Sequence, residues 1–330
     1  MAKDIARTTE YVWPSIGNDK AIEFLNRSIL SDKIAQTYVF IGPEELGKST
    51  IALAFARNLQ GDYDGFNSDL YVLNPEPGKK GIGIEQVREF IKMLNLSSFM
   101  NSYKIGLIKE ADLLSEEAKS ALLKTLEEPK DKVIIIMLVN TEESLPATIL
   151  SRSQKLYFYP VPAATIYDYL IANYGASRSL AKDLASLALG RPLKAIRYLE
   201  NPEVYKTYLE EAESFLSLFN IDLNARLKVL DSIFTDKTYS KQATEDALSF
   251  LLMAEGLFRD MLLLVLEQKD RVQHLVILSA LEKSLASLPG DTDEKIKGIL
   301  NRLKFIAQAK EYLEANVNPR LVLEQLIVNL

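Results

Sequence analysis

One glycine-bounded segment carries the residues best suited to hold a phosphate group. Gly42 and Gly47 enclose a short loop that ends in Lys48, Ser49 and Thr50. An apolar stretch precedes the loop and a helical pattern follows it, which is the setting that a phosphate-binding loop requires. The glycines let backbone N–H groups approach phosphate oxygens, the helix presents its positive end, the lysine reaches the terminal phosphates and the serine offers a hydroxyl to Mg²⁺. The pattern predicts an ATP site at these five residues, with a chance match on an ordinary strand-helix turn as the alternative.

A second acidic site is expected downstream of such a loop, and here it is incomplete. An apolar segment ending at Ile108 is followed by Lys109 and Glu110. In phosphate-loop ATPases an aspartate at the first of these positions holds Mg²⁺ through water, and a glutamate at the second orients the attacking water. Glu110 is therefore a candidate catalytic residue, but Lys109 replaces the aspartate and its charge opposes Mg²⁺. We expect the chain alone to bind ATP and not to hydrolyse it measurably.

Other short patterns predict the elements that position this loop. The seven apolar residues Val133–Val139 suit a strand buried on both faces of a parallel sheet. Asn140 follows at its carboxyl end, where ligands bind in open α/β sheets, and is a candidate cofactor-binding residue. Ser115 has the features of a helix N-cap. Further strands are expected at Leu70–Leu73 and at residues 155–159. These strands, alternating with helices, predict an α/β fold for the N-terminal part.

Composition limits the cofactors and the location. The chain has 330 residues, no cysteine, a single histidine at His274 and a net charge of −6. Without cysteine it forms no disulfide and no cysteine-ligated metal site, and one histidine cannot build a zinc site, so we expect no zinc. Mg²⁺ remains possible together with ATP. The negative charge argues against general attraction to nucleic acid. The charged N-terminus lacks the apolar core of a signal peptide and no segment has the length of a membrane span, so a cytoplasmic location without membrane contact is expected.

Three motifs in sequence order resemble one protein family. Residues 110–129 are similar to the signature of the bacterial clamp-loader ATPases of the AAA+ class. Residues 145–153 resemble the Ser-Arg-Cys motif of that family, with Ser153 in place of the cysteine, and residues 82–88 resemble a third family segment. The resemblance covers most of residues 10–200.

The resemblance implies a fold and a division of the chain. An AAA+ domain with a five-stranded parallel sheet would occupy residues 1–160, a helical lid residues 161–205, and an all-α collar for oligomerisation residues 206–330. It also implies a subunit that joins motor subunits of the γ/τ type and a delta subunit to load the sliding clamp on primed DNA. The chain lacks the cysteine zinc module of the motor, and Leu193 stands where the motor has a lid arginine. We therefore expect a largely stationary subunit.

The Ser-Arg motif gives Arg152 a role that reaches beyond this chain. In the family ring this motif faces the neighbouring subunit, so the resemblance implies that Arg152 is an arginine finger supplied in trans. Its planar, permanent charge suits the charge that develops on a γ-phosphate. Alternatives remain open: Arg152 could simply pair with a helix end, and the chain could be an ATP-hydrolysing motor or a phosphate-loop ATPase with another nucleic-acid task.

Overall fold

The chain divides into two compact units in a computed structural model. One unit comprises Met1–Tyr169 with Gly190–Lys194, and the other comprises Leu170–Leu189 with Ala195–Leu330. The predicted division into three domains, with boundaries at residues 160 and 205, remains a prediction. The structure describes residues 11–14, 16–61, 69–76, 81–96, 103–128, 130–233 and 240–330.

Five parallel strands form the centre of the N-terminal unit, as the sequence predicts. Their order across the sheet is β2-β3-β4-β1-β5. β1 lies between β4 and β5, with Tyr38 opposite Ile136 on one side and Gln154 on the other. The strands are β1 Thr37–Ile41, β2 Leu70–Leu73, β3 Lys104–Ile108, β4 Val133–Val139 and β5 Gln154–Tyr157.

The three central strands β1, β3 and β4 are buried along their whole length because helices cover both faces of the sheet. Within β1, Val39 and Ile41 enter one core cluster, whereas Tyr38 and Phe40 enter the cluster on the opposite face. This alternation follows from successive side chains pointing to opposite faces of a strand. The covering helices are α1 Asp19–Leu30, α2 Lys48–Gln60, α3 Ile84–Asn95, α4 Glu116–Glu127 and the short α5 Ala147–Leu150.

Two local expectations can be compared with the structure directly. Ser115 caps α4, because its hydroxyl accepts the backbone N–H of Ala118 at 3.2 Å. The last strand ends earlier than residues 155–159 suggested. Phe158 still donates its N–H to Ile41, at 2.7 Å, but the N–H of Tyr159 turns to the side-chain oxygen of Asn18, at 2.9 Å. A side chain from the start of α1 thus takes over the hydrogen bond that would have extended the strand.

The remainder of the described chain is helical. Its largest core lies in the C-terminal unit, where the ring of Phe215 meets Phe250 and Phe258 edge-on with centroid distances of 5.5 and 5.8 Å. Within the described residues, none of the helices combines the length and the apolar character that crossing a bilayer would need. The helices are α6 Ala163–Tyr174, α7 Arg178–Leu187, α8 Pro192–Glu200, α9 Pro202–Ser217, α10 Leu223–Ile233, α11 Lys241–Val265, α12 Leu278–Ser287, α13 Thr292–Glu314 and α14 Pro319–Val328.

A buried polar network ties three segments of the C-terminal unit together. The fully buried carboxylate of Asp260, on α11, accepts backbone N–H groups from Gln273 at 3.0 and 3.1 Å and from His274 at 2.9 Å. The ring of His274 contacts the same carboxylate through Nδ1 at 2.7 Å, and its Nε2 lies 2.7 Å from the hydroxyl of Tyr208 on α9. Burial raises the pKa of Tyr208. The phenol therefore stays protonated and can donate to the histidine.

Replacing Asp260 with alanine is expected to lower the free energy of unfolding by about 3–5 kcal/mol. The change leaves several buried donors without an acceptor, and such groups cost more than the hydrogen bonds they lose. Chemical denaturation of both variants measures the difference. Asp270→Ala, at an exposed position, is the matched control and should shift stability by about 0.5 kcal/mol or less. Equal effects of the two substitutions would contradict the role given to the network.

Candidate functional site

The loop between β1 and α2 depends on two glycines in backbone conformations that favour glycine. Gly42 has φ 151° and Gly47 has φ 89°. A Cβ atom on Gly42 would overlap the carbonyl oxygen of Phe158. The side chain of Leu46 is buried in the core and anchors the end of the loop just before Gly47. The loop therefore lies close against the end of the sheet, and α2 starts directly after it at Lys48.

The start of α2 leaves backbone donors available. Gly47 is the N-cap, and in the described part of the chain no side chain caps this helix. The first intrahelical bond runs from the N–H of Ile51 to Gly47, so the earlier N–H groups have no partner within the helix. Ser49 is half-buried and Thr50 is exposed in this first turn. Such a helix start suits an anion, and the roles predicted for these residues remain predictions.

The buried ammonium group of Lys48 sits among oxygen atoms from both the loop and the sheet. Its Nζ donates to the carbonyl oxygens of Gly42, of Pro43 at 3.2 Å and of Val139 at 3.0 Å. The side-chain oxygen of Asn140 lies 3.3 Å away. Burial lowers the pKa of Lys48, while nearby acidic groups, Asp112 first, oppose this shift. The structure thus brings Lys48 and Asn140, both predicted from sequence, into contact.

Asp112 joins this group, although sequence reasoning gave it no role. Its two carboxylate oxygens accept the backbone N–H of Asn140 at 3.0 and 3.1 Å. The carboxylate therefore fixes the residue whose side-chain oxygen lies beside Lys48. A signal was available, because Asp112 follows β3 at the same edge of the sheet at which β4 ends. Only the folded structure shows that the two strand ends meet through this side chain.

Glu110 and Lys109 are placed differently from the lysine cluster. Lys109 is half-buried and its backbone N–H donates to Leu73 at 3.0 Å, extending the pairing of β3 with β2. Glu110 is exposed and has a left-handed backbone with φ 52°. Among the described residues, the Glu110 carboxylate makes no hydrogen bond or ion pair with the loop. The structure therefore does not bring Glu110 to Lys48, and its predicted catalytic role remains a prediction.

Arg152 lies just after α5 and contacts none of the loop residues in the described part of the chain. One guanidinium nitrogen donates to the backbone oxygen of Thr148 at 3.0 Å, and another lies 3.0 Å from a carboxylate oxygen of Glu127. The side chain is 40% exposed. The structure therefore contains the helix-end pairing that the sequence left open as an alternative, and it leaves part of the guanidinium accessible.

Metal ligands of the protein do not cluster in the described residues. No group of three or more histidine, cysteine, aspartate or glutamate side chains there could hold a metal ion. The donors that converge on the loop are instead backbone N–H groups and one ammonium. This combination fits the phosphates of a nucleotide better than it fits a bare cation.

Comparisons with known proteins point to replication proteins. A family model described as "DNA polymerase III, delta subunit" matches residues 17–162. The DNA polymerase III subunit delta′ of Bacillus subtilis is 24% identical over 333 residues, which cover 94% of this chain and 95% of the relative. The delta′ subunit of Haemophilus influenzae is 30% identical over 184 residues, 56% of this chain and 54% of the relative. The match to the second relative thus spans about half its length.

A solved structure supports the same architecture. The gamma subunit-related protein of DNA polymerase III from Thermotoga maritima superposes with a TM-score of 0.51 and 17% sequence identity, over 93% of this chain and 97% of the other. At this identity the similarity concerns the fold. It agrees with the five-stranded parallel sheet followed by a helical part.

The two loop glycines should differ in how well they tolerate a side chain. Gly47→Ala is expected to cost about 1–2 kcal/mol of stability, because its positive φ disfavours a Cβ while the space around it is open. Gly42→Ala should cost about 1–3 kcal/mol more, because its Cβ would meet backbone. Urea unfolding of the two variants measures both losses. An equal or smaller loss for Gly42→Ala would show that the loop does not lie against the sheet in this way.

Proposed function

We propose that this chain is a clamp-loader subunit of DNA polymerase III of the delta′ type. It binds ATP without hydrolysing it and supplies Arg152 to a neighbouring motor subunit. Its partners in this proposal are γ/τ-type motor subunits and the delta subunit. Through that complex it acts on the sliding clamp and primed DNA in the cytoplasm. The observation that carries the proposal is that the chain combines a well-formed phosphate loop with an incomplete acidic site.

Phosphate binding is supported by the loop geometry. Lys48 is already held at the edge of the sheet, and α2 starts at this residue without a side-chain cap from the described part of the chain. Gly42, Gly47, Lys48, Ser49 and Thr50 would contact the phosphates, and Asn140 lies next to the lysine. Bound Mg²⁺ would neutralise charge between the phosphates, and of these residues Ser49 offers it a hydroxyl.

Loss of hydrolysis is supported by the charges at the end of β3. Lys109 occupies the position of the metal-organising acid, and the Glu110 carboxylate has no contact with the loop among the described residues. The carboxylate of Asp112, the acidic group with the largest electrostatic effect on Lys48, accepts the N–H of Asn140. Since phosphoryl transfer depends on positioning and charge stabilisation, such an arrangement disfavours turnover.

An ATP-hydrolysing motor is the second candidate, and the intact loop is the observation that favours it. Turnover by the isolated chain separates the two candidates. A phosphate-loop ATPase with a different nucleic-acid task is a third candidate, and co-purification with clamp-loader partners separates it from the other two.

The isolated chain is expected to bind ATP in calorimetry, with and without Mg²⁺, and to show no measurable turnover. Lys48→Ala should weaken binding about 10–100-fold, because hydrogen bonds to charged groups contribute about 1.5–3 kcal/mol. Lys33→Ala, an exposed lysine after α1, is the matched control and should leave the affinity unchanged. Robust turnover that Lys48→Ala abolishes would instead identify a motor.

Arg152→Ala should preserve folding and assembly but lower ATP hydrolysis by the reconstituted complex. An arginine finger contributes about 10³–10⁵ in rate, so the site that Arg152 serves should become almost inactive. Arg152→Lys should not restore it, because lysine lacks the planar fork of donors. The measurement is ATPase activity stimulated by the clamp and primed DNA.

Arg27→Ala provides the control for this experiment. Arg27 is also an exposed arginine, and its guanidinium donates to the backbone oxygen four residues earlier, at 3.4 Å. Its replacement should leave ATP hydrolysis by the complex unchanged. Unchanged turnover in the Arg152→Ala complex would rule out the finger and leave the chain with a structural role.

A further inference from the structure

The guanidinium of Arg152 is held from two directions. Thr148 supplies a backbone oxygen at 3.0 Å from one terminal nitrogen, and Glu127 supplies a carboxylate oxygen at 3.0 Å from the other. The hydroxyl of Ser151 lies at 3.5 Å, the limit of a hydrogen bond. A guanidinium has five N–H donors. These contacts therefore leave donors available, and no described residue occupies Nε.

Both contacts of Arg152, Glu127 and Thr148, are next in sequence to a buried residue. Glu127 is the last residue of α4, directly after the buried Leu126. On the other side, the N–H of Arg152 and the hydroxyl of Ser153 both donate to the carbonyl oxygen of Ile149, at 3.1 and 2.8 Å, and Ile149 is fully buried. Movement of the guanidinium is thus limited by contacts at its base and at its tip.

We propose that Glu127 is a positioning residue for Arg152, a role that rests on the proposed function of Arg152 as a finger in trans. An arginine side chain has many rotamers, and a guanidinium that is already oriented loses less freedom when it meets a phosphate. Glu127 belongs to the α4 segment and would not itself touch the neighbour's nucleotide. It acts by holding one end of the guanidinium, while the remaining donors have no partner among the described residues and the side chain stays 40% exposed.

The exposure of the Glu127–Arg152 ion pair indicates that Glu127 orients Arg152 and does not block it from a neighbouring subunit. Glu127 and Arg152 are both exposed, with side-chain exposures of 51% and 40%. An exposed ion pair is weak, so it can orient a side chain without trapping it. For the same reason its removal should change the stability of the chain very little. Effects on rate and on folding can therefore be separated.

The test is steady-state ATP hydrolysis by the complete reconstituted complex, with clamp and primed DNA. Glu127→Ala should lower kcat about two- to fivefold, the effect that corresponds to an exposed ion pair, with an unchanged KM for ATP and an unchanged melting temperature. Glu127→Gln keeps an acceptor oxygen and should lose less. The matched control is Glu128→Ala, which removes the adjacent exposed glutamate and should have no effect.

The double variant shows whether Glu127 acts through Arg152. Combined with Arg152→Ala, the Glu127→Ala change should have no further effect, since residues acting as one unit are not additive. An unchanged or increased kcat of the Glu127→Ala complex, together with a lowered kcat of the Arg152→Ala complex, would overturn the positioning role of Glu127. It would leave the finger role of Arg152 intact. Unchanged turnover in Arg152→Ala itself would overturn both.

Discussion

The hydrogen bonds of the buried Lys48 ammonium group join the glycine-bounded loop to the edge of the sheet. A buried charge is costly unless it is surrounded by hydrogen-bond partners. Here the partners come from the loop, at Gly42 and Pro43, and from the end of β4, at Val139 and Asn140. One side chain thereby fastens the loop to the central strands. A phosphate reaching this edge would meet a lysine that is already positioned.

The charged groups at the ends of β3 and β4 are the basis for proposing ATP binding without hydrolysis. At the end of β3 the chain places Lys109 where a hydrolytic site would have an aspartate. The carboxylate of Asp112, which acts on Lys48 electrostatically, accepts the N–H of Asn140 and so connects the ends of β3 and β4. In the proposed function, the loop with Lys48 recognises phosphate, and Lys109 disrupts the part of the site that would organise a metal and a water.

Features of the fold and the site could be predicted from the sequence where the signal lies within a few consecutive residues. The strand Val133–Val139 and the cap at Ser115 were predicted because a few consecutive residues contain the whole signal. The loop was predicted for the same reason. Asp112, in contrast, meets Asn140, 28 residues later in the chain, only because β3 and β4 end at the same edge of the sheet.

Contacts between packed elements were beyond any local pattern. The pairing of Glu127 with Arg152 requires α4 and α5 to pack at a particular distance. The network around Asp260 likewise joins α11 to a segment near His274 and to α9. The early end of β5 follows from Asn18, a residue at the opposite end of the same unit's sequence. Periodicity and capping rules contain no information about such partners.

The most direct test of the account is whether Arg152 faces nucleotide bound to another subunit. The chain has no cysteine, so a Ser151→Cys variant carries one thiol at an exposed position beside Arg152. In the reconstituted complex, an ATP analogue with a thiol-reactive group on its γ-phosphate should label this chain. The label should persist when Lys48→Ala removes binding at the chain's own loop. No labelling, or labelling that disappears with Lys48→Ala, would contradict a finger supplied in trans.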